Sequence, residues 1–271
     1  MNIQITVIIT TFNRKAELKR ALQSVIDQTI QPYEILIINN GYENLNLEES
    51  TQLSGKNIKI INSVKNFHSA DGRNLGASIA TTDYVAFLDD DDFWEKDYIK
   101  KTITIINKDK PDLLISTLYD LKTNKIYKKI NSLNLSKMYT YNPGLNGSNV
   151  VVLKKSLKEV GGWNNSVFPS EDRALAVDFI LKDKKIILQD NKVFCNISSS
   201  KKTSRNLELL EKGTKNFIKY YNKNFNLIEK IIINYKLSVF EIKNKKYLQI
   251  FKFLFLYLLK LLIRKNKKWT M

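Results

Sequence analysis

Cysteine is almost missing from this chain: Cys195 stands alone among 271 residues. An internal disulfide is therefore excluded, and nothing in the composition calls for an oxidising compartment. The N-terminus has no basic leader, and its first apolar run, Ile5-Thr6-Val7-Ile8-Ile9, is too short for a signal peptide or a spanning helix. The bulk of the chain is accordingly expected in the cytoplasm. Acidic residues are scarce at one end only. Residues 201–271 hold 18 Lys+Arg against 4 Asp+Glu, a surplus of 14, which leaves residues 1–200 with only 3 of the total charge of +17. The basicity belongs to the tail. At 43% hydrophobic and 26% charged residues the chain is not a disordered one.

Residues 1–200 alternate short apolar segments with helical patterns, as in an α/β sheet with parallel strands and helices on both faces. Strands are expected at Ile5–Thr10, Glu34–Ile38, Ile58–Ile61, Tyr84–Leu88, Leu113–Ser116, Val150–Leu153, Lys185–Leu188 and Val193–Ile197. Helical spacing follows Asn13, a good N-cap, and recurs at Asp71–Ala80, Glu95–Ile106 and Glu171–Leu181. Residues 119–150 are polar and carry Asn-Pro-Gly at 142–144, which reads as a hairpin or loop. From Ser198 the texture changes through Ser-Ser-Ser-Lys-Lys to a basic helical extension, residues 201–271.

The most informative segment is Tyr84-Val-Ala-Phe-Leu-Asp89-Asp-Asp-Asp-Asp92, followed by Phe93-Trp94. Two carboxylates ~5 Å apart repel by roughly 3 kcal/mol at an effective dielectric near 20. A run pinned between an apolar strand and two large aromatics cannot simply swing into solvent. A divalent cation resolves the conflict, and carboxylate oxygens are the ligands that Mg²⁺ or Mn²⁺ prefers. Strand ends in α/β sheets are also where ligands bind.

Several ordered motifs then resemble one family, the family 2 glycosyltransferases with the GT-A fold. Val7-Ile-Ile-Thr-Thr-Phe-Asn13-Arg14 is similar to the family's first strand and turn. Ile35-Leu-Ile-Ile-Asn39-Asn40-Gly41 resembles its second strand, with Asn-Asn in place of the usual Asp pair. Asn66 and Gly72-Arg73-Asn74-Leu75-Gly76 resemble its Ala-Arg-Asn-x-Gly segment, and Asp89-Asp90-Asp91-Asp92 its Asp-x-Asp metal motif. The resemblance covers about residues 3–183. It implies a nucleoside diphosphate sugar donor, most simply UDP-linked, held by Mn²⁺ or Mg²⁺. Asp89 would face the ribose or donor sugar and share the cation with Asp91; Asp90 is counted with the donor site. Many relatives carry a metal-binding His later in the chain, whereas here His68 is the only histidine and precedes Arg73.

The residues suit that chemistry in their own right. Phe12, just past the first strand and flanked by Thr10 and Arg14, offers a flat face to a nucleobase. Asn39 offers amide groups to a base edge, and Arg73 near a helix start suits ribose or diphosphate oxygens. An inverting transfer also needs a carboxylate to take the acceptor proton. Gly161-Gly162-Trp163-Asn164 followed by Glu171-Asp172-Arg173 resembles the family's Glu-Asp motif, which implies Asp172 as base and Glu171 orienting it or binding acceptor. Gly162 permits close backbone approach and Trp163 would stack on an acceptor sugar. The expected acceptor is a lipid-linked or surface glycan.

Two rival readings remain. A sugar nucleotidyltransferase would need a Gly-rich phosphate loop after the first strand, and Thr10-Thr-Phe-Asn-Arg14 supplies none. A non-catalytic nucleotide-sugar-binding protein would bind without turnover.

In the tail, Tyr247–Ile263 is apolar over 17 residues, roughly 25 Å of helix, and holds Lys252 and Lys260. That is short of the ~30 Å hydrocarbon core, so spanning is excluded. Lys245, Gln249, Lys252, Lys260, Arg264 and Lys267 share one helical face, interrupted by Leu256. The expectation is an amphipathic helix lying on an anionic membrane surface, with the protein peripheral on the inner face of the cell membrane. Upstream helical stretches near Leu207–Tyr221 and Leu227–Phe240 would pack on it or form a homodimer surface. No nucleic-acid motif accompanies the basic charge.

Overall fold

Seven consecutive buried residues, Ile5–Thr11, form the central strand β1, flanked by parallel neighbours on both edges. The computed structural model describes residues 3–45, 57–63, 68–197, 206–243 and Tyr257. After β1 come α1 (Lys15–Ile26), β2 (Glu34–Asn39), β3 (Ile58–Asn62), α2 (Ser69–Ile79), β4 (Tyr84–Asp89) and β5 (Asp92–Trp94). Then follow α3 (Tyr98–Asp109), β6 (Leu113–Asp120), β7 (Ile126–Lys128), α4 (Leu135–Thr140), β8 (Val150–Leu153), α5 (Lys154–Glu159), α6 (Glu171–Leu181) and β9 (Ile186–Cys195).

The strands form one sheet in the order β3-β2-β1-β4-β8-β6-β9-β5, with β7 on β6. The β3-β2-β1-β4 half is parallel, whereas β8 runs antiparallel to both β4 and β6. Both faces are covered. Ile5, Val7 and Ile9 of β1 join Leu18, Leu22 and Val25 of α1 and Tyr98, Ile99 and Ile106 of α3 in one core cluster. Ile8 points the other way onto α2, where a Cβ on Gly76 would lie 2.6 Å from Ile8 Cγ2.

Several boundaries differ from the sequence reading. Asn13 is not the cap of α1: it sits at φ 53°, Arg14 occupies the N-cap, and Asn13 Oδ1 accepts from Tyr42 N. The third helix begins at Tyr98 because Asp92–Trp94 pairs with the Val193–Cys195 end of β9. The two expected late strands are one strand, β9, with an irregularity in its pairing to β6 between Ser116 and Thr117. The polar stretch 119–150 contains the β6–β7 hairpin and also helix α4, capped by Asn134 accepting from Lys137 N. Its Asn-Pro-Gly is followed by a short 3-10 turn at Gly147–Asn149.

Residues 1–199 and 200–271 are two separate compact units. The described part of the second is a helical hairpin, α7 (Leu207–Tyr221) and α8 (Leu227–Lys243). Asn206 caps α7 by accepting from Leu209 N. Asn226 and Glu229 open α8 reciprocally: Asn226 N donates to Glu229 Oε2 at 2.8 Å and Glu229 N to Asn226 Oδ1 at 2.9 Å. This arrangement satisfies donors that a helix start leaves open. The expected amphipathic helix Tyr247–Ile263 lies, apart from Tyr257, outside the described residues, as does Asn66. Among the described residues no helix is long and apolar enough to cross a membrane.

Candidate functional site

Strand β4 is buried through Leu88 and emerges at Asp89. Along the acidic run the side chains alternate. Asp89 and Asp91 retain 25% and 20% of their side-chain exposure, while Asp90 retains 5%. Asp92 is buried and accepts from Ser148 Oγ at 2.7 Å, with Asn146 Nδ2 and Cys195 Sγ each at 3.3 Å. Asp90 accepts from Thr11 Oγ1 at 2.7 Å, Phe12 N at 3.4 Å and Arg14 Nη1 at 3.1 Å. Burial pushes Asp90 up to about 6, against the lowering pull of Thr11 and Arg14. Asp90 therefore ties β4 to the turn after β1 and does not face a ligand, which corrects its placement in the donor site. Arg14 also lies 3.5 Å from Asp91 Oδ2.

Thr10 is buried and stands opposite Asp89 in the β1–β4 register. Phe12 is 40% exposed and meets Tyr42 edge-on at 5.5 Å, so a flat aromatic surface does stand at the strand end. Asn39 departs from expectation. It is buried, its Nδ2 donates to Glu43 O and Asn62 Oδ1, and its Oδ1 accepts from Gly41 N. Both amide donors are spent folding the loop after β2 and are not turned toward a base.

Arg73, on α2, is the hub. Its side chain is 5% exposed; Nη2 donates to Asp89 Oδ1 at 2.7 Å, and Nη1 lies 3.6 Å from Asp172 Oδ1 and 4.0 Å from Glu171 Oε1. The guanidinium sits over the Trp163 ring at 4.5 Å. Burial would lower the Arg73 pKa, but the charges of Asp89, Asp172 and Glu171 outweigh it and hold it above its ordinary range. A Cβ at Gly147 would come within 2.1 Å of Arg73 Nη2, so any larger residue there would force the guanidinium to shift.

Asp172 and Glu171 begin α6. Glu171 Oε1 accepts from Ser69 Oγ at 3.0 Å, which joins the starts of α2 and α6. Asp172 keeps 26% of its side-chain exposure. Burial raises its carboxyl well above the ordinary carboxylate range; Arg73 pulls it back, and Glu171 and Asp89 push it further.

Trp163 corrects the acceptor assignment. It is 2% exposed, packs edge-to-face on Phe87 at 5.1 Å, and lies under Arg73. It has no free face for a sugar. Asn74 holds its backbone at both ends: Nδ2 donates to Trp163 O and Oδ1 accepts from Trp163 N, each at 2.8 Å. Gly162 has φ +78°, and a Cβ there would stand 2.7 Å from Asn74 Oδ1, so it serves this clasp. His68 stacks on Phe168 at 4.3 Å beside the start of α2.

Thr11 and Asn74 stand within the quoted motifs without an assigned role, and Ser69, Gly147 and Ser148 stand outside them. The Asn146-Gly-Ser148 triplet was a usable signal, since small and polar residues next to an apolar strand often let another chain segment approach closely. Among the described residues no three His, Cys, Asp or Glu side chains are placed so that together they could hold one metal ion.

The model of the family described as Glycosyl transferase family 2 matches residues 6–160, more than half of the chain. The chain belongs to this family. Curated relatives of this family 2 chain include the uncharacterized glycosyltransferase YwdF of Bacillus subtilis (strain 168), 34% identical over 99 residues, which are 36% of this chain and 37% of the relative. The amylovoran biosynthesis glycosyltransferase AmsB of Erwinia amylovora is 27% identical over 111 residues, 40% of this chain and 37% of that protein. These matches thus take in little more than a third of either relative. Among solved structures, S. aureus TarS 1–349 in complex with UDP-GlcNAc matches with a TM-score of 0.62 at 16% identity, covering 89% of this chain and 73% of that one. GalNAc-T7 with UDP, GalNAc and Mn²⁺ matches with a TM-score of 0.64 at 14% identity, covering 81% and 48%. The α/β fold of this family 2 chain is of the GT-A type.

Proposed function

We propose that this chain is an inverting glycosyltransferase that moves a sugar from a nucleoside diphosphate donor, most simply UDP-linked, to a hydroxyl of a lipid-linked or surface polysaccharide acceptor. The observation that carries the reading is the position of Arg73 between Asp89 and Asp172, which lie far apart in sequence and face one buried guanidinium. A donor-side carboxylate and an acceptor-side carboxylate thus meet at one buried guanidinium. The UDP and UDP-GlcNAc in related folds support the donor class, and AmsB, a glycosyltransferase of amylovoran biosynthesis, supports a biosynthetic role.

Asp89 and Asp91 would hold Mn²⁺ or Mg²⁺. They fit as partly exposed hard oxygen donors at a strand end, and such ions bind through one or two carboxylates plus substrate phosphates. When bound, the cation stabilises charge on the departing diphosphate. Phe12 stacks the base, and Arg73 fixes Asp89 toward the donor. Asp172 takes the proton of the acceptor hydroxyl as its oxygen bonds to the anomeric carbon and the bond from that carbon to the diphosphate breaks. Its raised pKa makes it a stronger base than an ordinary carboxylate. Glu171, held by Ser69, orients it. The basic tail carries the protein to the inner face of an anionic membrane, next to a lipid-linked acceptor.

The test is release of UDP from a panel of UDP-sugars with and without Mn²⁺. Asp91→Ala is expected to abolish the metal response and Asp172→Asn the turnover, with donor binding kept in the latter. Full turnover in Asp172→Asn would remove the base assignment. Calorimetry showing no metal-assisted capture of any nucleoside diphosphate would remove the enzymatic reading altogether.

A further inference from the structure

Helix α8 buries one face and leaves another bare. Glu229 and Ile233 are each 3% exposed, whereas Leu227, Ile228, Ile231, Ile232 and Tyr235 are 61%, 68%, 44%, 45% and 72% exposed. At 100° per residue these five, with half-buried Val239, fall within one arc of about 140°. The arc holds no charged residue; Ser238, which also falls within it, donates its hydroxyl to Asn234 O. Lys236 borders it on one side, and Lys230 and Asn234 on the other. This is the inverse of an ordinary surface helix, in which exposed positions are polar. The reciprocal Asn226–Glu229 bonds fix where the helix starts and hence which side chains form the arc.

We infer that this arc of α8 is a membrane-docking face that lies on an anionic lipid surface. The choice of occupant follows from charge. Residues 201–271 carry 18 basic against 4 acidic side chains. A second copy brings the same surplus to the contact and is repelled. An anionic leaflet is attracted by each Lys or Arg that comes near its surface. The two requirements of an interfacial helix, an uncharged apolar stripe and basic residues at its margins, are met together. The inference rests on the membrane reading above and deepens it, because it assigns contact to an element separate from Tyr247–Ile263.

The test uses the full chain and vesicles of two parts phosphatidylcholine to one part phosphatidylserine. The triple variant Ile228→Gln/Ile231→Gln/Tyr235→Gln changes no charge and no buried residue. It is expected to lower the partition coefficient by at least about tenfold, because three apolar side chains lose their burial at the headgroup boundary. A second measurement reads the face directly. In Tyr235→Trp/Trp269→Phe, bromine-labelled lipid is expected to quench the new indole, while Trp94 and Trp163 are shielded by burial. Wild-type partitioning by the triple variant, or an unquenched indole on bound protein, overturns the inference and leaves the tail reading intact. If the wild type ignores these vesicles, both readings fall. Dissociation of a dimer by the triple variant without loss of lipid binding also overturns it, since the arc would then be a contact between copies. Deleting residues 245–271 isolates the arc, and the residual binding should remain sensitive to the three substitutions.

Discussion

Arg73→Met is the most informative single perturbation of the site. Methionine keeps an apolar stem against Trp163 but removes the charge facing Asp89, Asp172 and Glu171. Removing one partner from a buried ion pair costs roughly 3–5 kcal/mol, chiefly because the other charge is left uncompensated. Asp89 and Asp172 each keep about a quarter of their side-chain exposure, so water relieves part of that penalty and the lower end, about 3 kcal/mol, applies. Loss of the cation over the buried indole at 4.5 Å adds about 1 kcal/mol. Urea unfolding in metal-free buffer should therefore show about 4 kcal/mol of destabilisation at unchanged m-value. Arg73→Lys restores the charge without the planar fork and should recover about half. The pH dependence supplies a second reading. Asp172 has a raised pKa in the folded state, so folding is favoured as pH falls and stability is lost as pH rises through the window from its unfolded toward its folded value. Without Arg73 the folded value climbs further, so the deficit of Arg73→Met should shrink as pH falls. A loss under about 1 kcal/mol, or a deficit independent of pH, would refute the idea that this guanidinium holds the carboxylates together.

Three further outcomes are expected. Gly147→Ala should displace Arg73, because the added Cβ would lie 2.1 Å from its Nη2; UDP release should fall at least about tenfold, with a smaller change in thermal stability than in Arg73→Met. Asp90→Asn should flatten the stability profile between about pH 4 and pH 6: the folded pKa of about 6 makes wild-type stability decline with rising pH there, by about 3 kcal/mol in all, and hold level above it. Asn74→Ala should cost about 2 kcal/mol in chemical unfolding, since it strips two hydrogen bonds from the Trp163 backbone.

Much of the parallel half of the sheet was legible because its strands are buried on both faces and read as continuous apolar runs; β1, β2 and β4 came out within one residue of expectation. Helix α6, expected at Glu171–Leu181, was found there. The antiparallel half was harder. Strand β5 is only three residues long and exists because Cys195, Phe194 and Val193 lie opposite it, a contact no local pattern announces. Side-chain direction was harder still. Asn39 and Trp163 were read by residue type as ligand-facing, yet one closes its own loop and the other is roofed by Arg73. Residue chemistry tells what a group is able to do, and only packing tells which way it points.

The acidic run makes the same point in electrostatic terms. Four adjacent carboxylates seemed to require a cation, but the fold removes half of the conflict by itself. Two-residue alternation turns Asp90 and Asp92 inward, where Thr11 and Arg14 donate to Asp90 and where Ser148 and Asn146 donate to one oxygen of Asp92. Asp89 and Asp91 are left partly exposed, each facing an arginine. The repulsion therefore acts within one pair, Asp89 and Asp91, spaced as Asp-x-Asp, and not along a run of four. Arg14 and Arg73 supply positive charge to that pair, so any cation that joins it must coexist with both guanidiniums or displace one. Arg73, clamped beneath Gly147 and over Trp163, has little room to leave. Arg14, at 37% side-chain exposure, has far more, and is the arginine that would swing away in the proposed metal–diphosphate complex.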